Sequence, residues 1–376
     1  MDKEEKAFFE IIRLGLWGNA PQLSNIMPNL DWEKIYRMGK KQSVVALMLD
    51  GIELLPKECR PPRQLYIQWC LDTITIEDMN RTMNIEIVNL FKMLRNNDIE
   101  PILFKGQSVA QYYRNPLHRS CGDIDIYTRS ENYGESNRLL KIEGTATIEE
   151  TIKHSAFRWH DIPVENHLII TKLMNPFNDR KLQKIIKSWA WKGGERNMDI
   201  EGYKVKIPPL EFDAFFILQH AITHLLELGI GLRQIIDWTM LLHYNNANIN
   251  REEAVKILKK TGMDRPARVF GAIAVNYLGL PPEDLLLPYD KKDERYAARV
   301  IDDVMRGGNF GSSFNYNNQL PKNYWLKKLH TFKTSVKRSW LLRKVAPKEA
   351  YWVSYTMLES HISLRLRPKR PASLKN

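Results

Sequence analysis

The segment Arg119-Ser-Cys-Gly-Asp-Ile-Asp-Ile-Tyr127 alternates acidic and apolar residues over its second half. A period of two is the pattern of a half-buried strand, so the spacing predicts a strand over residues 122–127. On such a strand Asp123 and Asp125 project from one face, while Ile124 and Ile126 turn to the other. Two carboxylates held side by side repel each other, and a divalent cation such as Mg²⁺ makes the arrangement favourable. Solvent-facing strands also carry alternating acids, so this spacing alone leaves a metal site and a plain surface strand both open.

Working upstream, Glu100-Pro-Ile-Leu-Phe104 reads as a short apolar strand followed by Lys105-Gly106 and a helix over residues 109–113, closed by Asn115-Pro116. A glycine there lets backbone amides approach a phosphate, and a helix start offers positive partial charge. Downstream, residues 132–141 read as a helix. Strands are expected at 145–152, 155–160 and 164–171, the last two joined by a turn at 161–163. A helix over 178–191, a turn at Lys192-Gly-Gly-Glu195 and a strand at 203–207 complete a mixed α/β unit.

Helical spacing dominates on both sides of this unit. Residues 4–17, 32–49 and 64–95 precede it, and 210–228, 232–244, 251–261 and 266–278 follow, with Gly229 and Gly231 suited to ending the first of the latter. The expected organisation is therefore a helical region over 1–98, an α+β core over 99–207, a helical domain over 208–320 and a basic helical tail over 321–376.

The chain has 376 residues, 43% of them hydrophobic and 27% charged, with ten tryptophans. This balance suits folded globular units and excludes an extensively disordered chain. The formal net charge of +12 is concentrated: residues 321–376 carry 14 Lys or Arg against Glu349 and Glu359, leaving the rest without net charge. A localised excess points to an anionic partner at the tail, where Trp325, Phe332, Trp340, Tyr351 and Trp352 alternate with cations. The amphipathic pattern over 344–366 favours instead a terminal helical hairpin packing its aromatics on the body, with the Arg365–Arg370 run left flexible. Three cysteines, Cys59, Cys70 and Cys121, form no CxxC pair, so neither a disulfide framework nor a cysteine zinc site is expected. The charged start lacks a secretory signal, and the apolar stretch 215–232 is broken by Gln219, His220, His224 and Glu227. The expectation is a cytoplasmic protein without a transmembrane segment.

Three elements in order, Leu103-Phe104-Lys105-Gly106, Tyr112-Tyr113 and Arg119-x-x-Gly122-Asp123-Ile124-Asp125-Ile126, resemble the signature L-K-G, Y-Y, R-x-x-G-D-I-D-L. That signature marks the uncharacterised nucleotidyltransferases of the DNA polymerase β superfamily. The resemblance implies a polymerase-β-like α+β core with a mixed sheet, flanked by helical segments. It implies Asp123 and Asp125 as ligands of Mg²⁺ or Mn²⁺, and a phosphate turn containing Gly106 and Ser108 next to Gly122. The third acid of the family lies in an E-x-H strand, which Glu165-Asn-His167 matches. Glu165 then completes the metal site or serves as general base. The chain departs from the pattern at Phe104, inserted between Leu103 and Lys105, and at Gln107, where the family carries a small residue.

Arg119 and Lys105 are candidates for neutralising triphosphate oxygens; salt bridges to the acids are the competing account. His220 and His224, four apart on a helix, resemble the family's H-x-x-x-H element, and Arg233 with Asp237 its R-x-x-x-D element. With His167 they are candidates for the acceptor side, against buried histidines and an intrahelical ion pair. The implied reaction moves a nucleoside monophosphate from a nucleoside triphosphate such as ATP to an acceptor and releases pyrophosphate. Small molecule, sugar, protein side chain and nucleic-acid end all remain open as acceptors. Two rival functions fit the same residues: nucleic-acid binding through the tail, or nucleotide binding without turnover.

Overall fold

The computed structural model describes residues 1–18, 29–144, 146–151, 153–189, 195–309 and 323–357. The chain opens with α1 (Lys3–Trp17), whose Asp2 side chain accepts the Glu5 amide and whose Gly18 closes it in the left-handed region. Residues 32–49 form two helices rather than the single one expected. Ser43, at φ 57°, ends α2 (Trp32–Gln42), and α3 (Val45–Glu53) starts beyond it. A β-region or left-handed residue cannot carry the helical hydrogen-bond ladder, so the apolar spacing persists while the axis turns. The long helix α4 (Arg63–Arg95) follows.

Seven strands among the described residues form one mixed sheet, ordered β3-β4-β5-β2-β1-β7-β6. They are β1 (Ile102–Phe104), β2 (Ile124–Tyr127), β3 (Ala146–Glu150), β4 (His154–Trp159), β5 (Ile162–His167), β6 (Arg196–Ile200) and β7 (Tyr203–Ile207). Strand β6 was not expected from the sequence; its Arg-Asn-Met-Asp-Ile stretch buries only Met198 and Ile200. At the centre, β2 runs antiparallel to β1 and parallel to β5, which sets Phe104, Asp125 and Glu165 in one row. Between the strands lie α5 (Gly106–Ala110), α6 (Arg129–Glu143) and α7 (Pro176–Trp189). The turn expected at 192–195 lies largely outside the described residues.

Alternation sorts the two sheet faces. Leu103, Ile124, Ile126 and Val164 pack on Ile87, Phe91 and Leu94 of α4 and on Leu139 and Leu140 of α6. Each such side chain contributes roughly 1.5–3 kcal/mol on burial. The opposite face carries Ile102, Phe104 and Tyr127, which join a larger core with α8 (Leu210–Glu227) and α9 (Leu232–Tyr244). Phe104 sits against Phe212 and Phe216, with ring centroids 6.3 and 5.3 Å away. Because Asp125 and Glu165 share the row of Phe104, they face this helical layer.

The helices α10 (Arg251–Thr261), α11 (Asp264–Asn276) and α12 (Lys291–Gly307) extend the same core to α1–α3. Arg13 and Trp17 donate to carbonyls of Tyr277 and Leu278 at 3.0 and 2.6 Å. The basic region contributes α13 (Tyr324–Leu342) and a short α14 (Pro347–Ala350); the Arg365–Arg370 run lies outside the described residues. Among the described residues no helix is long and apolar enough to cross a membrane.

Candidate metal and nucleotide site

A cavity of about 490 Å³ opens between the β1–β2–β5 face and helices α8 and α9. Asp123, Asp125 and Glu165 meet there, each offering a carboxylate oxygen within 4.8 Å of the others. Asp125 is on β2 and 2% exposed, whereas Asp123 precedes the strand at its open end. Glu165 is brought alongside by the parallel β2–β5 register. Hard oxygen donors in this number suit Mg²⁺ or Mn²⁺, so the residues present fit a divalent ion.

The electrostatics follow from crowding three acids. Lys105 Nζ lies 2.8 Å from Asp125 Oδ1 and His167 Nε2 lies 2.7 Å from the same oxygen. Burial opposes the Asp125 charge, but Lys105 and His167 outweigh it and hold its pKa far below the carboxylate range. The negative charge of Asp125 raises Asp123. Burial, reinforced by Asp125, pushes Glu165 up to about 7. For Lys105 burial disfavours the ammonium, yet the attraction of Asp125, Asp123 and Glu165 keeps its pKa raised.

The turn after β1 is bent sharply. Lys105 and Gly106 both have positive φ, 49° and 42°, and a Cβ on Gly106 would stand 3.5 Å from the Asp123 carbonyl. Glycine is favoured here by conformation more than by space. The helix begins at Gly106, three residues earlier than its apolar spacing suggests. Lys105, Gly106, Arg119, Gly122, His167, His220, His224, Arg233 and Asp237 all line the cavity. Ser108 does not: it is fully buried, its amide donates to the Lys105 carbonyl at 2.7 Å, and its hydroxyl has no partner among the described residues.

Arg119 is spent on a partner the sequence did not suggest. Its Nε and Nη2 each donate to Asp237 at 2.8 Å, and Nη1 to Cys121 Sγ at 2.8 Å. Tyr113 Oη donates to Asp237 at 2.7 Å. Asp237 therefore forms no intrahelical pair with Arg233, whose Nη1 donates to the Ser120 carbonyl and whose buried Nε has no partner among the described residues. Gln107 accepts from Cys121 Sγ at 2.8 Å and donates to Asn84 at 2.9 Å, tying the turn to α4. The larger side chain at that position thus has a structural task.

On the far wall, the rings of His220 and His224 stack edge-on at 4.4 Å. Burial drives both down, His220 well below its ordinary value and His224 to about 4, so both are neutral imidazoles. Lys153, His154 and Glu227 also line the cavity and were not anticipated. One signal was available for His154: in His-Ser-Ala-Phe-Arg-Trp159 the inward Phe157 and Trp159 put His154 on the face of Glu165.

None of the curated proteins matches this chain. A solved structure, an antigenic nucleotidyltransferase-like protein from Paracoccidioides brasiliensis, is similar at 15% identity and a TM-score of 0.29, over 51% of this chain and 88% of that one. Residues 28–279 match the family model described as an uncharacterised nucleotidyltransferase, and with most of the chain so matched, the protein belongs to that family.

Proposed function

We propose that the protein transfers a nucleoside monophosphate from a nucleoside triphosphate to an acceptor, releasing pyrophosphate. The observation that carries this reading is the convergence of Asp123, Asp125 and Glu165 in one cavity beside the Gly106 turn. In the reaction an acceptor oxygen attacks the α-phosphorus and the bond to the pyrophosphate oxygen breaks. Asp123, Asp125 and Glu165 hold the divalent cation, which when bound supplies charge stabilisation to the attacking and leaving oxygens.

The remaining work falls to the protein's own groups. Lys105 keeps Asp125 ionised and stands ready for phosphate oxygens. Arg233, with a donor uncommitted among the described residues, is the second phosphate contact in this reading, whereas Arg119 serves as the anchor of Asp237. Glu165, whose carboxyl burial and Asp125 push up to about 7, would have to be ionised to hold the cation. His167 fixes Asp125, and His220 and His224, as neutral hydrogen-bonding groups, face the acceptor side. Calorimetric titration of ATP with and without Mg²⁺, followed by a pyrophosphate-release screen over hydroxyl acceptors, tests the reading. Absence of Mg²⁺-dependent nucleotide binding overturns it.

A further inference from the structure

The geometry points to a second metal site, of zinc class, formed by His154, Glu165 and His167 and adjoining the carboxylate trio. His154 opens β4 and His167 closes β5, and the antiparallel register sets them directly opposite each other. Glu165 precedes His167 by two residues and so shares its sheet face. Opposite Glu165 stands Ala156, a small side chain. All three donors line the cavity, which leaves a ligand position toward it for water or substrate.

The distances argue for a shared ion over a hydrogen-bonded cluster. His154 Nε2 lies 3.8 Å from Glu165 Oε1, and His167 Nε2 lies 3.5 Å from Glu165 Oε2. Both exceed the usual 2.7–3.2 Å of a hydrogen bond, approximately. Bonds of about 2.0–2.2 Å from zinc to nitrogen and oxygen set tetrahedral donors about 3.3 Å apart. The two contacts reach the two different oxygens of Glu165, each a little longer than that spacing, and one ligand atom from each of the three residues lies within 4.8 Å of the others. His167 Nε2 also meets Asp125 Oδ1 at 2.7 Å, a hydrogen bond that gives way when Nε2 turns to the ion.

Donor chemistry separates the two sites. Two imidazoles and one carboxylate favour Zn²⁺ or Co²⁺, while three carboxylates favour Mg²⁺. Glu165 belongs to both, one carboxylate between two ions. The site extends beyond nucleotidyl transfer as proposed above, and it stands or falls without that reading.

The test is Co²⁺ titration of the full metal-free chain, followed by visible d–d absorption in excess Mg²⁺, with Zn²⁺ as competitor. Expected are bands saturating at one equivalent that persist in Mg²⁺ and are lost on adding Zn²⁺. His154→Ala should weaken Co²⁺ binding by about tenfold or more, since losing a direct ligand costs no less than losing an outer-shell partner. Asp123→Asn should leave the bands in place. His154→Gln, with melting curves for every variant, guards against a folding defect. The proposal is overturned by absent bands, by displacement with Mg²⁺, by wild-type affinity in both His154 variants, or by bands lost in Asp123→Asn. The last result would put the ion on the carboxylate trio and leave the nucleotidyl-transfer reading intact; failure of Mg²⁺-dependent ATP binding would do the converse.

Discussion

Arg119 and Asp237, 118 residues apart, meet in a two-pronged ion pair whose nitrogen–oxygen contacts are both 2.8 Å. Both side chains are buried, and the pair clamps the segment leading into β2 against α9 at the edge of the cavity. Removing one partner leaves the other charged and buried. Asp237→Ala should lower the unfolding free energy by about 3–5 kcal/mol. Denaturant unfolding measures this, and a loss below about 1 kcal/mol would mean the clamp is replaceable by solvent.

Lys105 is the cation nearest the three acids in the metal-free protein. Lys105→Met should destabilise that form by about 3 kcal/mol or more, because Asp125 loses its counter-charge. Mg²⁺ supplies that charge, so its addition should raise the melting temperature of the variant more than that of the wild type. Equal shifts in the two proteins would argue against cation binding at Asp125.

The coupling of metal and proton has a definite sign. Glu165, pushed up to about 7 by burial and by Asp125, carries a proton over most molecules at about pH 6 and over few at about pH 8. A metal-bound carboxylate must be ionised. Mg²⁺ binding should therefore release nearly one proton at the lower pH and almost none at the higher. Calorimetry in buffers of different ionisation enthalpy reads the release, and a pH-independent result would remove Glu165 from the site.

Stability should fall with rising pH for a separate reason at Glu349. Its Oε2 accepts the Met174 amide at 2.6 Å while the buried Oε1 has no partner among the described residues. Burial lifts its pKa from 4.5 to about 7. Between those values the folded chain binds the proton more tightly than the unfolded one, so stability is full below the window and lost as pH rises through it. Glu349→Gln should flatten that slope. An unchanged pH profile would show that water reaches the carboxylate.

What the sequence made legible follows the range of the interactions. The acid strand and its Lys105-Gly106 turn could be read because period-two alternation and short motifs are local, whereas Glu165 was named only through the family resemblance and its parallel pairing with β2 emerges from the sheet alone. The Arg119–Asp237 pair could not, since spacing offers Arg233 as the partner and only tertiary packing brings Arg119 closer. His154 was missed for a related reason: its meaning depends on strand register against β5. Strand β6 carries too little apolar alternation to announce itself, and the break at Ser43 interrupts a backbone whose apolar spacing continues.

In the proposed function, Asp123 and Asp125 hold a cation needed for nucleotide. Calorimetric binding of ATP in the presence and absence of Mg²⁺, compared between the wild type, Asp123→Asn and Asp125→Asn, tests it most directly. Mg²⁺-dependent binding is expected in the wild type and a loss of about tenfold or more in each variant, with melting curves confirming folded protein. Mg²⁺-dependent binding that is unchanged in both variants would contradict it.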